Sequence, residues 1–272
     1  HKEVNQDFHG ACVPEGPALV SKGVALALAD GISSSDVSHI ASAAAVHALL
    51  QDYYCTSDAW SVRRSVQCVL AATNYWLYAQ DRNGPHRFDA DRGHVCTLSA
   101  LVIKSATAHL FHVGDARIYR VQGKALEQLT QDHRVQLPGG HSHLARAMGF
   151  HSQLDIDYRA LPVEPGDTFV LATDGVHEHV PAPFIIQMLQ DHAGDLDQAA
   201  RAIVAEALHR GSPDNLTLQV VRIDALPLQD SSELQRQRAA LRLPPVLAPR
   251  DTLDGYHIVR ELHASHRSHI YL

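Results

Sequence analysis

The sequence predicts an α+β protein in which antiparallel sheets are covered by helices on their outer faces. Three observations carry that prediction: apolar residues alternate with period two over residues 97 to 129, helix signals come in pairs, and strand signals cluster between those pairs. With 272 residues, 45% of them hydrophobic, the chain can bury a substantial core.

The elements follow in order. "GVALALADG", residues 23 to 31, is a short apolar run ending in Asp-Gly, as expected of a buried strand and its turn. Serines 33 to 35 and Asp36 offer N-caps for a helix over residues 37 to 54, on which Ile40, Ala44, Val46, Leu49 and Leu50 recur near helical spacing. A second helix is expected after Asp58 as its cap, with Val62, Val66, Val69, Leu70, Thr73 and Leu77 on the buried face. "TLSALVI", "AHLFHVGDARIYRVQ" and "KALEQLT" then read as an antiparallel meander with Lys-Ser and Gln-Gly turns. A strand over residues 168 to 173, helices over 182 to 191 and 197 to 210, and a last strand "NLTLQVVRI" complete the pattern, with Gly211 suited to the position after a helix end.

Charge and cysteine content narrow the function. The formal charge is −7, from 30 acids against 23 bases spread along the chain, which disfavours nucleic acid or an anionic membrane as partner. No stretch of about 18 apolar residues and no signal-peptide core is present. Cys12, Cys55, Cys68 and Cys96 form no CxxC pair, and the reading is of buried or inert thiols in a reducing cytoplasm.

The acids carry the chemistry. Asp7, Asp30, Asp115, Asp174 and Asp214 each lie at a strand edge among apolar neighbours. Any one of them is explained by a turn, since Asp-Gly and Asp-Asn are common turn dipeptides. Five together ask for a counter-charge, because isolated buried carboxylates are strongly disfavoured, and oxygen-only ligands suit magnesium or manganese.

"KEVNQD", "LALADGI", "HVGDARIYRV", "LTQDH", "LARAMG", "VLATDGVHE" and "GSPDNLTLQVV" resemble, in order and spacing, the motifs of bacterial metal-dependent type 2C serine/threonine protein phosphatases over residues 1 to 225. The resemblance implies a four-layer α-β-β-α sandwich with the metals at one end. It implies that Asp30 bridges two Mn2+ or Mg2+ ions with the Gly31 carbonyl as a further ligand, and that Asp174 and Asp214 complete the first ion. It further implies that Asp7 holds water beside the ions, that Asp115 and Glu178 serve a third, weaker ion, and that Lys2 replaces the arginine which binds the substrate phosphate. Two ions can activate a water and neutralise the leaving oxygen, so no protein nucleophile is needed, and the chain has neither a serine elbow nor a cysteine phosphate loop. Partners would be phosphorylated proteins; a regulatory, non-catalytic module of the same fold is the alternative.

Three departures qualify the match. Ile32, Ser33 and Ser34 follow "DG", so no histidine acid stands there. Between His133 and "LARAMG" only "RVQLPGGHSH" remains of a longer flap, which predicts an open site. "HSH" and "HEH", at 141 to 143 and 177 to 179, lack a zinc-site frame and are read as polar decoration, and His133 as structural. Residues 226 to 252 read as a linker with a short helix at 231 to 241. Residues 253 to 272 resemble the first strands of a kinase small lobe, without its glycines, as in fusions of such a phosphatase to a serine/threonine kinase. That fragment is expected to pack on the phosphatase domain or on a second copy.

Overall fold

A computed structural model describes residues 2, 4–82, 92–136, 142–226, 246–253, 255–265 and 268–272. The chain divides into two compact units, His1–Leu228 and Gln229–Leu272. The predicted helix at 231 to 241 lies outside the described residues.

The first unit opens with β1 (Asp7–Cys12), α1 (Pro17–Lys22) and β2 (Val24–Asp30), followed by the helix pair α2 (Ser38–Cys55) and α3 (Val62–Arg82). Next come β3 (Leu98–Lys104), β4 (Thr107–Val113), β5 (Arg117–Gln122), β6 (Ala125–Gln128), β7 (Arg134–Gln136) and β8 (Ser142–Leu144). β9 (Asp157–Pro162), β10 (Thr168–Ala172), α4 (Asp174–His177), α5 (Ala182–Asp191), α6 (Leu196–His209) and β11 (Leu218–Arg222) complete it. Two antiparallel sheets result, β1-β2-β3-β4-β9 and β11-β10-β5-β6, with β7-β8 as a separate hairpin.

Strand alternation builds the layers. In β2, Ala25, Ala27 and Ala29 pack toward α2 and α3, whereas Leu26 and Leu28 join Leu101, Leu110, Ile118, Phe169 and Leu171 in the core between the sheets. The small alanines meet Ala41 and Ala45 of α2, which lets helix and sheet approach closely. β10 repeats the device: Phe169 and Leu171 face the other sheet, and Val170 and Ala172 face Ile185, Leu189, Ala199 and Ile203 of α5 and α6. The predicted α-β-β-α sandwich is thus observed, and the near-continuous apolar run of β2 reflects burial on both faces.

Some local expectations are corrected. The meander is not one sheet: "AHLFHVGDARIYRVQ" breaks at Gly114, where the chain leaves the first sheet after β4 and enters the second as β5. Gly114 has φ +108°, and a β-carbon there would lie 2.5 Å from the Thr97 side chain. Val37, not a serine, precedes α2, with no side-chain cap; Ser35 Oγ accepts the Val37 N–H instead. Before α3, Ser61 Oγ accepts the Arg64 N–H, while Asp58, too early in the chain, pairs with Lys22 at 3.7 Å. Gly211 follows α6 with φ +82°, as expected, and Asp195 caps the start of that helix through the Gln198 N–H. Cys96 is buried and Cys12 half-buried, whereas Cys55 and Cys68 are exposed, so of the two readings, buried or inert, burial does not apply to those last two. No helix among the described residues is long and apolar enough to cross a membrane.

The second unit holds two small antiparallel ladders, β12 (Thr252–Leu253) with β13 (Tyr256–His257) and β14 (Glu261–Ala264) with β15 (His269–Tyr271). Ile258 is buried, whereas Tyr256, Leu262, Ile270 and Leu272 are exposed.

Candidate active site

Register brings the acids together. Asp7 opens β1 directly opposite Asp30 at the end of β2. Asp174 starts α4 straight after β10, Asp115 sits at the Gly114 corner, and Asp214 precedes β11, which pairs with β10. All lie where strands of the two sheets begin or end.

The Asp30 turn is fixed by Gln6 and Thr97. Gln6 is buried; its carbonyl accepts the Gly31 N–H at 3.0 Å, and its side-chain amide donates to Ser35 O at 2.7 Å and Ser38 Oγ at 2.8 Å. Thr97 Oγ1 accepts the Asp30 N–H at 3.0 Å, and the Thr97 N–H donates to Asp30 O at 2.8 Å. Gly31 has no room for a side chain, since a β-carbon would lie 2.7 Å from Ser38 O. These partners were invisible to a reading that looked only for acids.

Asp7 is buried, and its Oδ2 accepts from Thr173 Oγ1 at 3.1 Å. Asp7 Oδ1 and Asp174 Oδ1 are both buried without a hydrogen-bond partner. Burial pushes the Asp7 carboxyl up, against hydrogen bonds from Thr217 and Thr173. Asp30 is pushed well up, first by burial and then by the charges of Asp7 and Asp174. A buried carboxylate that its neighbours repel is a fit for a hard cation, and the all-oxygen donor set suits magnesium or manganese. Among the described residues no three His, Cys, Asp or Glu side chains close on one point, so such an ion would complete its shell with water.

Two cations stand at this edge. Lys2 Nζ is ion-paired with Asp214 and donates to Ser33 Oγ at 2.7 Å. Arg134, which the sequence reading passed over, bonds three acids: Nε to Asp115 Oδ2 at 2.5 Å, Nη1 to Glu178 Oε1 at 2.7 Å and Nη2 to Asp174 Oδ2 at 3.0 Å. Asp30, Gly31, Asp115, Arg134, His143 and Asp174 line one cleft of about 310 Å³. His143 of "HSH", read as polar decoration, therefore borders the site.

The other histidines hold the scaffold. His177 is buried and its Nε2–H donates to Asp115 O at 3.0 Å; burial and Arg117 push its pKa down, which keeps it neutral. His133 Nδ1 accepts the Gly114 N–H at 3.1 Å, and Nε2 lies 3.0 Å from both Asp157 Oδ2 and Arg146 Nη1. This agrees with the structural role expected of His133.

The family model described as Protein phosphatase 2C matches residues 1–217, and the chain belongs to that family. A serine/threonine phosphatase of Listeria monocytogenes, stp, is 26% identical over 221 residues, covering 72% of this chain and 83% of the relative. A solved structure of PppA, described as a key regulatory component of T6SS in Pseudomonas aeruginosa, superposes with a TM-score of 0.65 at 26% identity, covering 81% of this chain and 92% of that one. The catalytic domain of PstP, a serine threonine protein phosphatase solved with 2 manganese ions, gives a TM-score of 0.65 at 23% identity, covering 81% of this chain and 91% of that one, and supports the fold.

Proposed function

We propose that the chain hydrolyses phosphoserine and phosphothreonine in proteins, with Asp30, the Gly31 carbonyl, Asp174 and Asp214 holding two Mn2+ or Mg2+ ions. The observation that carries this reading is the buried Asp7 beside the partly buried Asp30, whose carboxyl the charges of Asp7 and Asp174 push up, with one oxygen each of Asp7 and Asp174 left without a hydrogen-bond partner. The manganese pair in PstP supports the same number here. When bound, the ions supply an activated water and neutralise charge on the phosphoryl group.

The chain's own residues supply the rest. Asp7, with Oδ2 taken by Thr173, keeps Oδ1 for the proton of a nearby water. Lys2, ion-paired with Asp214 at the edge of the cleft, would hold the substrate phosphate by charge, as a point charge without an arginine fork. The Gln6 and Thr97 bonds keep the Asp30 turn in position without help from substrate.

Residues 1–225 form the phosphatase domain, 226–252 a linker and 253–272 the opening of a kinase small lobe in a cytoplasmic phosphatase-kinase fusion, whose kinase or its targets supply the phosphorylated substrates. The strand alternation of residues 253–272 supports this reading, as does their position after a phosphatase domain.

Hydrolysis of p-nitrophenyl phosphate and of a phosphothreonine peptide, with manganese and with chelator, tests the activity. Turnover is expected with manganese alone, and Asp174→Asn is expected to abolish it. Full turnover in excess chelator overturns the proposal.

A further inference from the structure

The acids that resemble a third-ion site, Asp115 and Glu178, face a side chain that already carries a positive charge. Each bond from Arg134 uses a different guanidinium nitrogen and reaches a different carboxylate: Asp115, Glu178 and Asp174. Those acids come from the Gly114 corner and from the start and end of the α4 segment, so the guanidinium ties two sheet connections together.

The backbone of Arg134 is held in place by the same corner. The His133 N–H donates to Gly114 O at 2.7 Å, the Gly114 N–H returns to His133 Nδ1 at 3.1 Å, and the Ala145 N–H donates to His133 O at 2.7 Å. One residue earlier, Asp132 takes a fork from Arg117, through Nε at 2.9 Å and Nη2 at 2.7 Å. A planar, permanently charged group with five donors in a fixed fork is matched to several carboxylates at once in a way that a lysine is not.

We propose that Arg134 is a tethered cation that takes the place of a third metal ion, so that this chain binds two divalent ions and supplies the third positive charge itself. The inference rests on the two-ion reading above and concerns only the Asp115–Glu178 side of the cleft. A covalently attached charge cannot be washed out or diluted, so high free metal is not needed to neutralise this side.

Manganese chloride titrated into the full chain tests it, with free Mn2+ read from its paramagnetic resonance signal up to millimolar concentration. The expected result is two bound ions in the parent chain, three in Arg134→Ser, and two again in Arg134→Ser with Asp115→Asn. Arg134→Lys, which keeps the charge, should stay at two. Three ions in the parent chain overturn the proposal whatever the variants do, and two in both parent and Arg134→Ser overturn it alone, leaving the two-ion reading intact. A parent chain that takes up no manganese overturns both. Three ions in the parent chain overturn the proposal even where a variant fails to fold, and where Arg134→Ser does not fold, Arg134→Gln takes its place with the same expected count of three.

Discussion

The two sides of the acid cleft solve the same electrostatic problem differently. On one side the buried Asp7 and the partly buried Asp30 face each other across the β1–β2 ladder and repel, and the nearby Lys2 is spent on Asp214. On the other, Asp115, Asp174 and Glu178 share Arg134. Unmatched buried charge is costly and persists where a ligand or reaction uses it, so the first side is built for an external cation and the second is already compensated. Asp174 belongs to both, with Oδ2 on Arg134 and Oδ1 without a partner.

The largest expected effect comes from removing the charge at the uncompensated side. Asp30→Asn should lower manganese-dependent hydrolysis of p-nitrophenyl phosphate by at least about a thousandfold, on the order of 4 kcal/mol in the barrier. It should also remove the rise in melting temperature that manganese gives the parent chain, since an ion that binds only the folded state stabilises it in proportion to the logarithm of its concentration. Equal manganese stabilisation in the variant would erase the distinction between the two sides.

Much of this cleft was legible in the sequence. Asp-Gly after an apolar run marks a strand end, and acids at several such ends imply convergence once the strands share a sandwich. The layers were legible too, because alternation in "VALALAD" and "TFVLA" separates small helix-facing residues from large inter-sheet ones. Two features were not. The chain changes sheets at Gly114 inside a run whose alternation is unbroken on both sides, and only the positive φ and the crowding by Thr97 reveal it. Arg134 follows "DH" as one arginine among many; what it does depends on a corner about 20 residues away in sequence and on α4 beyond it.

A second test uses pH, through a histidine next to the segment that carries Arg134. His112 ends its contacts on Ser99 Oγ and, through Nε2, on Gln131 O, both at 3.0 Å, beside the segment that carries Arg134. Burial, then the His133 imidazole, push its pKa down to about 4, against the Gln131 carbonyl and the charges of Asp157 and Asp132. Above pH 6.5 the imidazole is neutral folded or unfolded and has no effect on pH dependence. As pH falls from about 6.5 toward about 4 the unfolded chain gains a proton that the folded chain refuses, and stability drops by an amount of order 3 kcal/mol. Urea unfolding of the parent and His112→Gln chains at pH 7.5 and about pH 5 isolates the term: the parent should lose about 2 kcal/mol more than the variant. Parallel losses in the two chains would mean that His112 is not held neutral.

The smallest effect is the most direct comparison of the two sides, made on the chain in chelator by thermal or urea unfolding. At neutral pH the raised pKa of Asp30 means that its charge works against the fold: the penalty is absent below the ordinary carboxylate range, grows as pH rises toward the folded pKa, and is fully present above it. Replacing that charge by the neutral amide in Asp30→Asn should therefore stabilise the metal-free chain, by about 1 kcal/mol. Arg134→Met should do the reverse. It leaves Asp115 buried without its hydrogen-bond donor and lets the three acids repel one another; discounted for a guanidinium about 30% exposed, the loss is about 1 to 2 kcal/mol. With the parent chain in the same manganese as reference, the metal should close part of that gap in Arg134→Met and none of it in a variant that also carries Asp115→Asn. If both single substitutions shift stability in the same direction, the division of the cleft into one side that awaits its cation and one that carries it is wrong.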